Sequence, residues 1–223
     1  VVRRGFPAGV VAVEAACERG PCAFLVPTHD GVETVLTENS ARLRGVGPSS
    51  QRVLRNTSLI PGADIDGDVW SACRAAFDVS RSPAHDALFF DEKVVPGLVR
   101  YAARGAAELQ GGSEEHVEAL VYCAGALKNL TNDEASLRRL AAAGVAGVAC
   151  DLARACAARA TTRHVARLAA QAAGALRNLS GDRGALKPLE AGGASRALAA
   201  LLVPFEGDAD VVLHAARALA KLS

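Results

Sequence analysis

The string GALKNLT at Gly125–Thr131 returns as GALRNLS at Gly174–Ser180. A chain whose segments recur at a fixed spacing folds by stacking copies of one unit, because each copy buries its apolar face only against its neighbours. Weaker copies flank the pair, RAAFDVS from Arg74 and RALAKLS from Arg217, so the four starts stand 51, 49 and 43 positions apart. A second marker keeps the same phase. KVVPGLV from Lys93, GVAGVAC from Gly144 and GASRALA from Gly193 are separated by 51 and 49 positions. Two elements recurring at one spacing point to a binding surface rather than to a reaction.

Punctuation between the markers predicts three helices per unit, and hence an all-α chain. Ser82 before Pro83 reads as an N-cap with proline at the first helical position, Thr131 to Glu134 as a capping box, and Asp182 after Gly181 as a further start. Short first helices are expected near 83–92, 134–143 and 183–191, and second helices from near Pro96, Val145 and Ala194, with glycines 144 and 192–193 making the bend. Long third helices are expected over 114–131, 162–180 and 209–222; Leu120, Cys123, Ala124, Leu127 and Leu130 recur by three or four, as one apolar face requires. The stretch 82–223 therefore reads as well-formed repeats cut short at the C-terminal end. Residues 1–81 read as two degenerate repeats, because Gly5 and Gly45 stand 40 apart and TVLTENS from Thr34 stands 40 before RAAFDVS. A chain that starts without methionine and stops on the last turn of a repeat helix reads as a piece of a longer protein.

Half of the residues are hydrophobic but only 4% are aromatic. The core must then be aliphatic and small, with helix axes toward the close end of the usual range of about 8–10 Å. A net charge of +1 gives no bulk attraction to nucleic acid or to an anionic membrane. Arg154, Arg159, Arg163 and Arg167 cluster around one helix junction, but without interleaved aromatics they are a weak nucleic-acid signal. No apolar run reaches the length of about 18 residues that a membrane span needs, and no signal peptide is present.

The cysteines at 17, 22, 73, 123, 150 and 156 form no C-x2-C pair, and a helical repeat of this length needs no staples, so reduced thiols are expected. The loop PGADIDGD at Pro61–Asp68 has acidic spacing, but its glycine and distal glutamate fall wrongly for an EF-hand; a solvated turn is expected, with Asp68 capping the helix that holds Trp70. No phosphate-binding, dinucleotide or zinc-protease motif occurs, and the histidines at 29, 85, 116, 164 and 214 are scattered over the repeats. His85 beside Asp86, and Glu115 beside His116, are sequence neighbours that a helix turns about 100° apart. Neither an enzyme nor a cofactor is expected.

The three-helix unit, its spacing and the endings AGALKNLTND and AAGALRNLSGD resemble the armadillo repeat, in wording closest to the beta-catenin and plakophilin branch. The resemblance is strong over 82–223 and weak before it. It implies a right-handed superhelical solenoid whose third helices line a concave groove. In that family an asparagine near each third-helix end hydrogen-bonds the backbone of an extended bound peptide. By position this singles out Asn129 and Asn178, with Asp78 and Lys221 in the flanking places. One turn back the row is Arg74, Gly125, Gly174 and Arg217, and two turns back Ser71, Tyr122, Gln171 and His214; Lys128 and Arg177 extend the polar surface. The family's nuclear-import receptors carry tryptophan where Gly125 and Gly174 stand, which counts against that role. Two alternatives stay open: the asparagines can serve the free carbonyls of a helix end, and the matched glycines can serve close packing.

The expected function is a protein-protein interaction scaffold or adaptor that binds an extended partner segment through Asp78, Tyr122, Asn129, Gln171, Asn178 and His214. The alternative is a static structural subunit or assembly factor of a large complex that touches its partners by its ends or convex face. A third class, an RNA- or lipid-associated repeat resting on the arginines, would betray itself by steep salt dependence. The expected location is cytoplasmic. An arginine- and alanine-rich composition with only four lysines, taken with the family resemblance, adds the narrower expectation of a ciliary or radial-spoke assembly.

Overall fold

The structure, a computed structural model, describes residues 2–3, 11–13, 23–27, 33–37 and, apart from 92, 160 and 161, residues 69–223. The chain divides into two compact units, Val1–Asn56 and Thr57–Ser223.

In the first unit, β1 (Val2–Arg3), β2 (Val11–Val13), β3 (Ala23–Pro27) and β4 (Glu33–Thr37) form a four-stranded sheet in sequence order. Each strand is antiparallel to the next, with Val2 opposite Val13, Val11 opposite Leu25 and Ala23 opposite Thr37. These segments correct the expectation of degenerate helical repeats here. Thr34, placed in phase with the third helices, lies within β4; Thr-Val-Leu-Thr is short and β-branched, and the glycine phase carries no apolar spacing of three or four to make it a helix. The Pro61–Asp68 loop, Asp68 as a cap, Gly5, Gly45, His29, Cys17 and Cys22 lie outside the described residues.

Among the described residues of the second unit, all regular structure is helical. It begins with α1 (Val69–Ser80), ahead of the start expected at 82. After a 3-10 turn (Pro83–His85) come α2 (Asp86–Asp91), α3 (Val94–Glu108) and α4 (Glu114–Leu130). Next are α5 (Glu134–Ala142), α6 (Val145–Ala158) and α7 (Arg163–Leu179). A second turn (Arg183–Ala185) leads to α8 (Leu186–Ala191), α9 (Ala194–Leu202) and α10 (Ala209–Leu222). The three-helix rhythm predicted from the markers is thus present in the helices themselves.

Packing follows the same rhythm. The series α1, α4, α7 and α10 lies side by side in chain order, and α3, α6 and α9 form a second series beneath it, each against its counterpart in the next unit. Helices α4 and α7 are apolar around most of their circumference and are buried accordingly, with Leu120, Leu130, Leu168, Leu176 and Leu179 fully enclosed. Cys73, Cys123, Cys150 and Cys156 are free thiols inside this core.

Helix starts obey local chemistry. Ser113, Thr162 and Asp208 cap α4, α7 and α10 by accepting from the backbone N–H of His116, Val165 and Val211. The expected capping box at Thr131 does not form. Helix α4 runs to Leu130 and Thr131 closes its last turn, so Asp133 caps α5 instead, its Oδ2 accepting from Ser136 N at 3.0 Å. Ser82 and Asp182 precede their 3-10 turns without a side-chain cap bond.

The bends into α3, α6 and α9 share one device. The first residue of each second marker, Lys93, Gly144 and Gly193, is left-handed with φ of 57°, 88° and 68°. Glycine takes this region freely, whereas a side chain there costs about 1–2 kcal/mol. A Cβ at Gly144 would meet nothing closer than Val99 Cγ1 at 4.0 Å, so the penalty there is purely conformational. In urea unfolding, Gly144→Ala is expected to lower stability by about 1–2 kcal/mol and Lys93→Gly to raise it by about 1 kcal/mol.

Candidate functional site

The structure gathers the rows singled out in the sequence onto one stripe along α1, α4, α7 and α10, and it ties most of them to one another. At the helix ends, Asn129 Nδ2 donates to Ser80 Oγ at 3.0 Å, and Ser80 Oγ in turn donates to Phe77 O. Asn178 Nδ2 donates to Thr131 Oγ1 at 3.0 Å and Asn132 Oδ1 at 2.8 Å. Lys221 Nζ donates to Arg177 O at 3.2 Å. Asn129, Asn178 and Lys221 therefore each reach back to the C-terminal end of the preceding third helix, where carbonyls lack intrahelical donors. The two asparagines differ in one respect. Asn178 Oδ1 accepts from Arg177 Nε and Nη2, whereas Asn129 Oδ1 accepts nothing among the described residues.

The glycine row is a packing row. A Cβ at Gly125 would stand 2.7 Å from Phe77 Cδ2, and one at Gly174 would stand 2.8 Å from Lys128 Cδ. Phe77 and Lys128, the residues just before Asp78 and Asn129, thus lie across the next third helix, and Gln171 packs beside Gly125.

Tyr122 and Arg74 are also engaged. Arg74 Nη1 donates to Tyr122 OH at 2.9 Å, its guanidinium stands 4.9 Å from the tyrosine ring centre, and it pairs with Asp78 at 3.4 Å. Tyr122 OH donates to Glu118 Oε1, and Trp70 Nε1 to Glu118 Oε2 at 3.0 Å, while the Trp70 and Tyr122 rings meet edge to face. Tyr122 is consequently only 8% exposed. Ser71 lies in the same helix, half-buried and with a partner of its own.

Between the ends of α1 and α4 opens a cleft of about 460 Å³, lined by Phe77, Ser80, Arg81, Pro83, Asp86, Lys128, Asn129, Asn132, Asp133 and Gln171. Two acceptors in its lining, Asp86 Oδ1 and Gln171 Oε1, are buried with no hydrogen-bond partner. Asp86 is 6% exposed; burial, followed by the Asp133 carboxylate, pushes its carboxyl up to about 6, with His85 acting in the opposite direction. The family row pointed to Asn129, Lys128 and Gln171 here, but it missed Ser80, Asp86 and Asp133. Asp86 sits in the run DALFF, and a lone acid leading an apolar helix was the signal that could have found it.

On the other side of α4 a second polar region surrounds Gly174. Lys128, Arg177 and His214 converge there, with Arg177 Nη1 3.1 Å from His214 Nδ1. Arg217 stands one turn further along α10. Among the described residues no group of three His, Cys, Asp or Glu side chains is placed to hold a metal ion, and no single helix is long and apolar enough to cross a membrane. Two basic residues of the α6–α7 junction serve local structure: Arg159 Nη2 donates to Gly112 O at 3.0 Å, and Arg154 Nη1 donates to Gly192 O at 2.8 Å.

No family model matches this chain, and no curated protein matches it. Among solved structures, the crystal structure of an engineered protein is similar over 83% of this chain and 90% of its own, at 22% identity and a TM-score of 0.44.

Two outcomes follow from the ties and the cleft. Asn178→Ala, which removes the bonds to Lys128 O, Thr131 Oγ1 and Asn132 Oδ1, is expected to lower stability by about 1–2 kcal/mol, and Asn129→Ala, with one, by about 0.5–1.5 kcal/mol; paired urea titrations measure both. Asp86 in the folded chain holds its proton to about pH 6, against an ordinary 3.8. The folded state therefore binds more protons than the unfolded one between those values, and Asp86 costs stability progressively as pH rises through them. Asp86→Asn should remove that descent and gain on the wild type at pH 7, read as the difference between their unfolding midpoints from pH 4 to 8.

Proposed function

We propose that this chain is an armadillo-type right-handed superhelical solenoid and a protein-protein interaction scaffold, taking an extended partner segment along the α1–α4–α7–α10 face. The observation that carries the reading is the cleft at Asn129. It lies on the same stripe as the recurrent rows, and its lining holds two buried acceptors without partners and the free Oδ1 of Asn129. Polar atoms left unmatched at a packed face are costly unless a ligand supplies donors. A segment crossing the stripe would present backbone N–H groups to Asn129 and side chains to the cleft. The asparagine row then acts unevenly: Asn129 meets the partner, and Asn178 holds neighbouring units in register. No catalytic role enters this proposal, and no cofactor.

A second reading, a structural subunit of a larger assembly, is favoured by a different observation. Val203 is 81% exposed and Leu186 40%, both away from the stripe. A cytoplasmic setting suits either reading; the narrower ciliary placement rests on the family resemblance and composition alone.

Placing a photo-crosslinking amino acid at Gln171 on the stripe, or at the exposed Arg196 on α9, separates the two. In extract of cells that make the parent protein, Gln171 is expected to capture one contiguous stretch of a partner, mapped by mass spectrometry. Crosslinks from Arg196 alone would replace the groove reading with the structural one.

A further inference from the structure

Third helices α4, α7 and α10 bring two cationic side chains and an imidazole to a single glycine. Gly174 forms the floor: a Cβ there would stand 2.8 Å from Lys128 Cδ on one side and 3.4 Å from His214 Cδ2 on the other. Arg177, one turn further along α7, points its Nη1 at His214 Nδ1, 3.1 Å away. Since a guanidinium only donates, His214 Nδ1 accepts, and the imidazole is neutral with its proton on Nε2. Arg177 Nε and Nη2 each donate to Asn178 Oδ1.

None of Lys128, Arg177, His214, Arg217 and Lys221 makes an ion pair among the described residues. The charged groups acting on His214 are Arg177 from α7, Lys128 from α4, and Asp210 and Arg217 from α10 itself; burial and the three cations hold its pKa below the usual histidine value, and Asp210 alone opposes them. Lys128 is depressed in the same way, by burial and then by Arg177, again opposed by Asp210. Several half-buried cations against one carboxylate are an arrangement that an arriving anion relieves.

We infer that Lys128, Arg177 and His214 form a proton-linked site over Gly174 for a phosphoryl group carried on a side chain of a partner segment. This inference rests on the reading of the stripe as a partner-binding face. Two cations and a protonatable imidazole reaching from three helices suit a dianion with three acceptor oxygens better than a singly charged carboxylate. Binding takes up a proton. As the anion settles, imidazolium becomes the favoured form of His214, its Nδ1 changes from acceptor to donor, and Arg177 turns from the ring to the oxyanion.

The test uses the full chain and N-acetyl-O-phosphoserine amide as the probe, at constant ionic strength in chloride, followed by NMR through the His214 ring signals and, in every variant, the Gly174 backbone amide. Saturable shifts at His214 are expected, with its pKa moving upward. Lys128→Gln, which keeps the stem over Gly174, should weaken binding about tenfold, the loss of one charge-assisted contact. From pH 8 to 6.5, where the phosphoryl group is mostly dianionic, affinity should rise in the wild type and stay flat in His214→Gln. Circular dichroism checks that both variants remain folded.

Shifts spread evenly over the arginines, or unchanged by Lys128→Gln, would overturn the site. Equal affinity for N-acetylglutamate amide would overturn the phosphoryl assignment, and binding of inorganic phosphate without the phosphoserine amide would overturn the partner segment. Crosslinks from Gln171 without phosphoserine binding would sink this inference alone. Phosphoserine binding without such crosslinks would leave the site standing and remove the extended segment.

Discussion

The side-by-side packing of the third helices depends on two residues without a side chain. Phe77 can lie across α4 only because Gly125 is beneath it, and the Lys128 stem can lie across α7 only because Gly174 is. With a methyl group at either place the crossing side chain would have to move, and the neighbouring helix with it. The same register brings Ser80 to Asn129, Thr131 to Asn178 and the Arg177 carbonyl to Lys221. Steric fit in one row thus aims the hydrogen bonds of the next. It also accounts for how little of α4 meets solvent along the stripe, where the covering side chains come from α1 and α7.

Much of the second unit was legible in the chain because its markers are backbone requirements. Lys93, Gly144 and Gly193 recur where the bend needs a left-handed residue, and the apolar spacing of Leu120, Leu127 and Leu130 describes a face that must be buried. Two kinds of feature were not legible. The capping box at Thr131 satisfied a local pattern, but the competing fact, that α4 would carry its hydrogen bonds through Thr131, belongs to the whole helix. The partnership of Arg74 with Tyr122 and the orphaned oxygen of Asp86 depend on which side chains face one another across units. A resemblance could name Asn129 and Asn178, but only geometry distinguishes the one with a free oxygen from the one without. In the first unit, strands as short as Ala23–Pro27 and Glu33–Thr37 carry too few apolar positions to outweigh a 40-residue glycine phase in the chain.

Charge along the stripe is divided, and Lys128 marks the division. Its stem helps to line the cleft in which Asp86 and Asp133 oppose each other, yet its ammonium group responds to Arg177 and Asp210 on the far side. The cleft near the end of α1 therefore holds Asp86 and Asp133 together with Arg81, whereas the region between α4 and α10 gathers Lys128 and Arg177 around His214.

Every described thiol is buried, and at three of them the burial is chemically expressed. Cys150 is pushed up to about 11 and Cys156 to about 12, and Cys123 is raised first by burial and then by its neighbour Cys73. A thiol in this condition does not react until the helices around it separate. Because Cys73 and Cys123 guard the contact of α1 with α4, while Cys150 and Cys156 belong to α6, the rate at which each is alkylated becomes a clock for one part of the stack. The protein carries, in its own core, the means to tell which of its units breathes first.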